Sequence, residues 1–282
     1  MSRNSLSRSA RSARSAATAA LVVASSLASL RGQTTANSRV PPGPSGTPVL
    51  VELFTSEGCS SCPPADALLA RLQREQPVAA ADIIGLEEHV DYWESLGWHD
   101  RFSSHQLTAR QSQYAQVLHL DGNYTPQMVV DGTDQFVGND SAHALSAIAR
   151  AARAPKLVLS VAPLKPSPLK PLDNDYVSAK VSIPSAASSA RADLYAALVE
   201  TKASTQVAGG ENGGHTLNHV SVVRLMRKIG TSDQAVNWLA FSLPVPKDAS
   251  IPNLRVVVFA QRADQGAVVG AASCASRPPA DR

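Results

Sequence analysis

Apolar residues fall into two rhythms along this chain. In the first, Val49-Leu50-Val51 and Leu53-Phe54 make a short continuous run between Pro48 and Gly58, as a buried parallel strand does. Ala65, Leu68, Leu69 and Leu72 follow at helical spacing, and a second apolar segment, Ile83-Ile84-Gly85-Leu86, completes a strand–helix–strand unit with a parallel pair. Leu107, Tyr114, Val117 and Leu118 predict a surface helix. Met128-Val129-Val130, entered through Thr125-Pro126 and left through Asp131-Gly132, reads as one arm of a hairpin with Gln135-Phe136-Val137 returning. An Ala-rich helix over 141–153 follows, with Asp140 or Ser141 as its cap.

The second rhythm begins at Pro155. Short apolar runs recur at 156–162, 176–183, 192–199, 216–226, 235–243, 253–261 and 267–271, several of them alternating. Leu254, Val256, Val258 and Ala260 set against Arg255, Val257, Phe259 and Gln261 is one example, and such a series favours an all-β sandwich. The fold expected is thus an α/β domain at 48–153 followed by a mostly β, sandwich-like domain at 155–276, with a tail at 277–282.

Charge changes the picture only at the amino terminus. Arg3, Arg8, Arg11 and Arg14 precede the uncharged small and apolar run Ala16–Leu30, and the first acidic residue is Glu52. Residues 1–30 therefore read as a secretory signal peptide and 31–47 as a flexible linker, implying a periplasmic or secreted protein, with organelle targeting as the alternative. Removing those four arginines takes the formal charge of +3 to −1, so nothing in the composition points to nucleic acid. No later run is long enough to span a membrane.

The candidate chemistry sits where the first strand meets its helix. Cys59 and Cys62 are two residues apart in Glu57-Gly58-Cys59-Ser60-Ser61-Cys62-Pro63-Pro64. A helix start stabilises a thiolate, which makes Cys59 the expected nucleophile and Cys62, one turn further in, the resolving thiol. Half a zinc site and a structural disulfide compete with this reading, although no second Cys-x-x-Cys exists. Past the second strand, His89, Asp91, Trp93, Trp98 and His99 either line a cleft or pack a loop against the sheet. The stretch 208–215 has four glycines in six residues and is read as a mobile hairpin loop or as one reaching over the cysteines; it lacks the Lys of a phosphate loop. His215 and His219 share a face if extended, without a carboxylate at matching spacing, and Cys274 stands alone.

Cys59-x-x-Cys62 after a first strand, then Thr125-Pro126 before a hairpin and a final helix, resembles the thioredoxin fold. That resemblance implies that Pro126 is a cis-proline beside the redox pair and that the Thr125 backbone pairs with an extended substrate segment. It also implies that Glu52, one residue further from Cys59 than usual, is the buried acid that assists proton transfer. The segments Val51–Asp66, His89-Val90-Asp91-Tyr92-Trp93, Tyr124–Gly132, Gly210-Glu211-Asn212 and Val222-Val223-Arg224 together resemble a usually exported bacterial thioredoxin-like family, DUF1223. The resemblance implies a fold; His89, Asp91, Trp93 and Tyr124 are the residues expected at a substrate cleft.

The leading functional expectation is an extracytoplasmic thiol–disulfide oxidoreductase acting on protein or small thiols, with the disulfide itself as the only cofactor. One alternative is a copper-handling protein in which Cys59, Cys62 and a histidine such as His89 hold Cu(I). Another is a non-enzymatic binding module stabilised by a structural disulfide.

Overall fold

The apolar run before the cysteines is strand β1 (Thr47–Thr55), in a computed structural model that describes residues 46–164, 175–183 and 191–276. The expected signal peptide, most of the linker and the tail lie outside the described residues. Parallel to β1 runs β2 (Ala81–His89), with Thr47 opposite Ala81 and Thr55 opposite His89. On its other side β3 (Gln127–Val130) is antiparallel and turns into the edge strand β4 (Asp134–Val137), as the Asp-Gly signal predicted. Helices α1 (Pro63–Glu75) and α3 (Ser141–Ala151) cover one face, burying Leu68, Leu69, Leu72, Ala147 and Ile148 against Val49, Val51, Leu53 and Met128. Alternation along β1 turns Leu50, Glu52 and Phe54 to the opposite face. There α2 (His105–Val117), capped by the Ser104 side chain, brings Tyr114 against Phe54 and Val129. Buried Arg110, Gln111 and Tyr114 show that α2 is not the surface helix its polar sequence suggests.

The remaining strands are β5 (Ser160–Pro163), β6 (Tyr176–Ser182), β7 (Ala192–Gln206), β8 (Thr216–Thr231), β9 (Leu239–Pro244), β10 (Leu254–Arg262) and β11 (Val268–Ala275). They correct the expected fold. Instead of a thioredoxin-like α/β domain followed by a separate β sandwich, one mixed eight-stranded sheet runs in the order β11-β10-β7-β8-β2-β1-β3-β4 across both halves of the sequence. Only β5, β6 and β9 form a second, small sheet. The join is β8 lying parallel to β2 with Glu87 opposite Val222, strengthened by the Val220 N–H donating to the Glu87 carboxylate at 2.9 Å.

Burial explains why the two-domain reading fails. Leu194, Ala196, Leu198, Val256 and Val258 face Val177, Ala179 and Val181 of the small sheet. The alternate residues Ala197, Val199, Val257 and Phe259 pack on Leu50, Ile84 and Leu86 from β1 and β2. Strands β7 and β10 are therefore apolar on both faces because each face meets a different layer. Among the described residues no helix is long and apolar enough to cross a membrane.

Candidate functional site at the Cys59–Cys62 turn

β1 ends at Thr55, and the chain turns through Ser56–Ser61 before α1 begins. The Cys59 N–H donates to the Ser56 carbonyl at 3.1 Å and the Cys62 N–H to the Cys59 carbonyl at 3.2 Å, winding the turn tightly. Cys59 and Cys62 are disulfide-bonded, with Cα atoms 5.4 Å apart. Cys62 is the cap of α1, and Pro63 and Pro64 occupy the first turn, where their missing N–H groups cost nothing. Cys59 accordingly sits one turn before the helix and Cys62 at its start, a shift of one turn from the expectation.

Cys59 Sγ has two hydroxyl neighbours, Thr125 Oγ1 and Ser61 Oγ, each at 3.3 Å. The Thr125–Pro126 peptide is cis. Trp93 Nε1 donates to Thr125 Oγ1 at 2.7 Å, so the aromatic cluster fixes the hydroxyl that faces the sulfur. Tyr124 is half-buried near this point; its hydroxyl donates to Gln135 at 2.5 Å and burial pushes its pKa up to about 12. Asp91 is spent on structure: its carboxylate accepts from the Thr108 hydroxyl at 2.6 Å and meets His105 at 3.2 Å, tying the loop to α2.

Both cysteines are 0% exposed, whereas Ser60 and Ser61 between them face solvent. The Gly-rich loop is part of the cover. Asn212 Nδ2 donates to the carbonyls of Glu57 and Cys59, both at 2.9 Å, and Glu211 accepts from the Ser60 N–H at 3.0 Å and from its hydroxyl at 2.6 Å. The approach requires glycine: a Cβ at Gly209 would lie 2.8 Å from the Gly97 carbonyl oxygen, and Gly210 has φ +68° against Trp98. Of the two sequence readings of this loop, the one reaching over the cysteines matches the structure.

Beneath the turn lies a buried chain of acids and imidazoles. Asp100 Oδ2 contacts His89 Nδ1 at 2.6 Å; His89 Nε2 is 3.3 Å from Glu87 Oε1, and that oxygen is 2.5 Å from His219 Nδ1. His219 Nε2 in turn faces Glu57 Oε1 at 3.5 Å, while Trp98 Nε1 donates to Glu57 Oε2 at 2.8 Å. Burial alone would raise the carboxyl pKa of Glu87, but bonds from His219 and His89 hold it at about 2. Burial likewise opposes the charge on His219, and its carboxylate partners at Glu57 and Glu87 outweigh it, raising the ring to about 9. Asp66, on the first turn of α1 and bonded to the Thr55 hydroxyl at 2.7 Å, is pushed up to about 7 by burial and by the charge of Glu87.

Glu52 is buried but faces the other way. Its carboxylate takes Arg110 Nε and the Tyr114 hydroxyl, both at 2.6 Å, on the α2 side of the sheet.

A family model described as a protein of unknown function, DUF1223, matches residues 50–261, from within β1 to within β10. The chain belongs to the DUF1223 family. A crystal structure of an Agrobacterium tumefaciens protein, a structural-genomics target, is similar at 27% identity and a TM-score of 0.61, covering 84% of this chain and 98% of that one. HBP35 of Porphyromonas gingivalis is similar in fold, at 14% identity and a TM-score of 0.55 over 84% of this chain and 78% of its own. No curated protein matches.

In this DUF1223 chain the residues that sequence reasoning singled out divide into two groups. Cys59, Cys62, Trp93, Thr125 and Pro126 come together at the turn. Asp91, Tyr124 and Glu52 are engaged elsewhere, and His89 lies in the buried chain with Glu87 and His219, the one set of three described residues whose donor atoms converge as metal ligands do. The Cu(I) alternative offered His89 as an example of the histidine that would join the cysteines; its two ring nitrogens contact Asp100 and Glu87. Asp66, Glu87 and His219 were detectable as charged residues on otherwise apolar faces of α1, β2 and β8. Asn212 and Asp100 carried no such signal.

Proposed function

We propose that this protein is an extracytoplasmic thiol–disulfide exchange protein acting through Cys59 and Cys62. The observation that carries the proposal is a disulfide-bonded Cys-x-x-Cys at a helix start, with the hydroxyls of Thr125 and Ser61 directed at one sulfur. Those donors stabilise a thiolate at Cys59, the form that attacks and leaves. An exported location is supported by the basic and apolar leader pattern and by the compartments in which disulfides persist.

A second reading, a binding module with a structural disulfide, is favoured by the complete burial of both cysteines. Equilibration of the pair against glutathione or dithiothreitol buffers, with thiols trapped and counted, separates the two. Exchange proteins fall at about −120 to −270 mV, and structural disulfides below about −300 mV. A value in the first range is the expected result, and one in the second would replace exchange by the binding-module reading.

Burial also makes exchange depend on the 207–215 loop. Asn212→Ala removes two hydrogen bonds to the turn, each worth about 1 kcal/mol, so local opening becomes easier by roughly ten- to thirtyfold. The expected outcome is a matching rise in the rate of reduction by dithiothreitol with little change in the thermal midpoint. An unchanged rate would mean that the loop does not gate access.

A further inference from the structure

We infer that Glu87, His89 and His219 bind one divalent transition-metal ion of the Zn(II) type in the layer beneath the disulfide. This site is independent of the redox reading and uses neither cysteine.

Three donor atoms converge there from two strands that meet only in the tertiary fold. Glu87 Oε1, His89 Nε2 and a ring nitrogen of His219 all lie within 4.8 Å of one another. Ligands about 2.0–2.2 Å from a zinc ion at the tetrahedral angle are about 3.3–3.6 Å apart, and His89 Nε2 and Glu87 Oε1 already stand at 3.3 Å. Two imidazoles and one carboxylate are a donor set that suits borderline ions such as Zn(II), Fe(II) or Co(II).

What distinguishes the cluster from a casual meeting of charges is that the second polar atoms of His89 and Glu87 are already held, and that of His219 faces a carboxylate. His89 presents Nδ1 to Asp100 at 2.6 Å, which leaves Nε2 facing the cluster. Glu87 Oε2 accepts the Val220 N–H at 2.9 Å, which leaves Oε1. His219 Nε2 points at Glu57 Oε1, and Trp98 fixes the other oxygen of Glu57. A carboxylate behind each metal-bound imidazole is the arrangement that sets its tautomer and raises its basicity.

Two buried atoms point the same way. His219 Nε2 and Glu57 Oε1 have no hydrogen-bond partner, although they face each other at 3.5 Å and both residues are buried. Meanwhile Nδ1 of the same ring is drawn in to 2.5 Å from Glu87. The two nitrogens of an imidazole point in nearly opposite directions. Admitting an ion between Nδ1 and Glu87 moves the ring away from Glu87 and carries Nε2 toward Glu57, so one displacement opens the ligand gap and satisfies both orphaned atoms. A dication held by neutral imidazoles also offsets the buried carboxylates of Glu57, Glu87 and Asp100, which would otherwise need charged histidines. Because all three ligands are shielded from solvent, the ion enters as the chain folds.

The test uses the full chain, expressed with added Zn(II) and separately with Co(II), desalted, and assayed for bound metal by mass spectrometry. One equivalent per chain is expected. The Co(II) form should show visible ligand-field absorption without the near-ultraviolet charge-transfer band of thiolate ligands. His219→Ala should abolish retention, Glu57→Gln should weaken it by about ten- to a hundredfold as the loss of a supporting partner does, and Cys59→Ser with Cys62→Ser should retain it fully. Absence of stoichiometric metal in the wild-type chain would overturn the inference. So would a thiolate band, or loss of metal in the cysteine variant alone; both readouts remain decisive if His219→Ala fails to fold.

Discussion

Replacing Cys59 with serine is expected to abolish disulfide exchange while leaving the chain folded. In the proposed cycle the Cys59 thiolate attacks one sulfur of a substrate disulfide, a Cys59–substrate bond forms, and the other substrate sulfur leaves as a thiolate. Cys62 then attacks Cys59 Sγ, releasing the second substrate thiol and restoring the Cys59–Cys62 bond, so the substrate is reduced and the pair is oxidised. The reverse sequence oxidises a dithiol. Cys59 is the attacking group because the hydroxyls of Thr125 and Ser61 face its sulfur. Cys62→Ser should therefore keep the first step and lose the second, accumulating a mixed disulfide with a substrate such as oxidised glutathione, visible by mass. Closing a loop this short stabilises the fold by only about 2 kcal/mol on the chain-entropy model, so either serine variant should stay folded. Retention of full exchange by Cys59→Ser would end the proposal.

The largest effect on stability is expected from Arg110→Ala. Arg110 is buried among Tyr114, Tyr195 and Phe259, and its guanidinium reaches Glu52, the Tyr114 hydroxyl at 3.0 Å and Gln261 at 3.2 Å. Glu88, on the neighbouring strand, has neither carboxylate oxygen in a hydrogen bond and faces Arg110 Nε at 3.7 Å, and burial together with the charge of Glu52 raises its pKa well above the usual range. Removing the arginine leaves the Glu52 carboxyl buried beside it without its cation partner, a change that costs about 3–5 kcal/mol. Urea unfolding should show that loss as a lower midpoint at unchanged slope. Adding Glu52→Gln to the alanine variant should recover part of it, because the stranded carboxyl is then gone. A loss below about 1 kcal/mol would show that water reaches this layer and that the pair is not buried in solution.

Much of the local structure was legible because it depends on near neighbours. The 3.6-residue spacing of Ala65, Leu68, Leu69 and Leu72 specified α1, the Asp131-Gly132 pair specified the β3–β4 hairpin, and the position of Cys59-x-x-Cys62 at a strand–helix junction followed from the apolar run 49–54 and the spacing of α1. Even there the helix start came out one turn late, since two prolines can occupy either the first turn of a helix or the loop before it.

What the sequence determined by itself was the elements, their polarity and the cysteine turn. Its weakness lay in assembly. The alternation along 254–261 favoured an all-β sandwich as a separate domain, yet β7 and β10 are covered on both faces because the small sheet lies on one side and β1 and β2 on the other. The tertiary structure alone decided that β8 would lie beside β2, and with it everything that contact brings together: Glu87 with His219 across 132 positions, Asn212 with the Cys59 carbonyl across 153, and Arg110 with Gln261 across 151. Hydrogen bonds and charges act over a few ångströms in space and carry no trace of their partner in the local pattern, whereas backbone propensity and periodicity do. That is why the turn bearing the cysteines could be read from residues 49–72, while the bonds that Asn212 makes to it and the pairing of His219 with Glu87 could not.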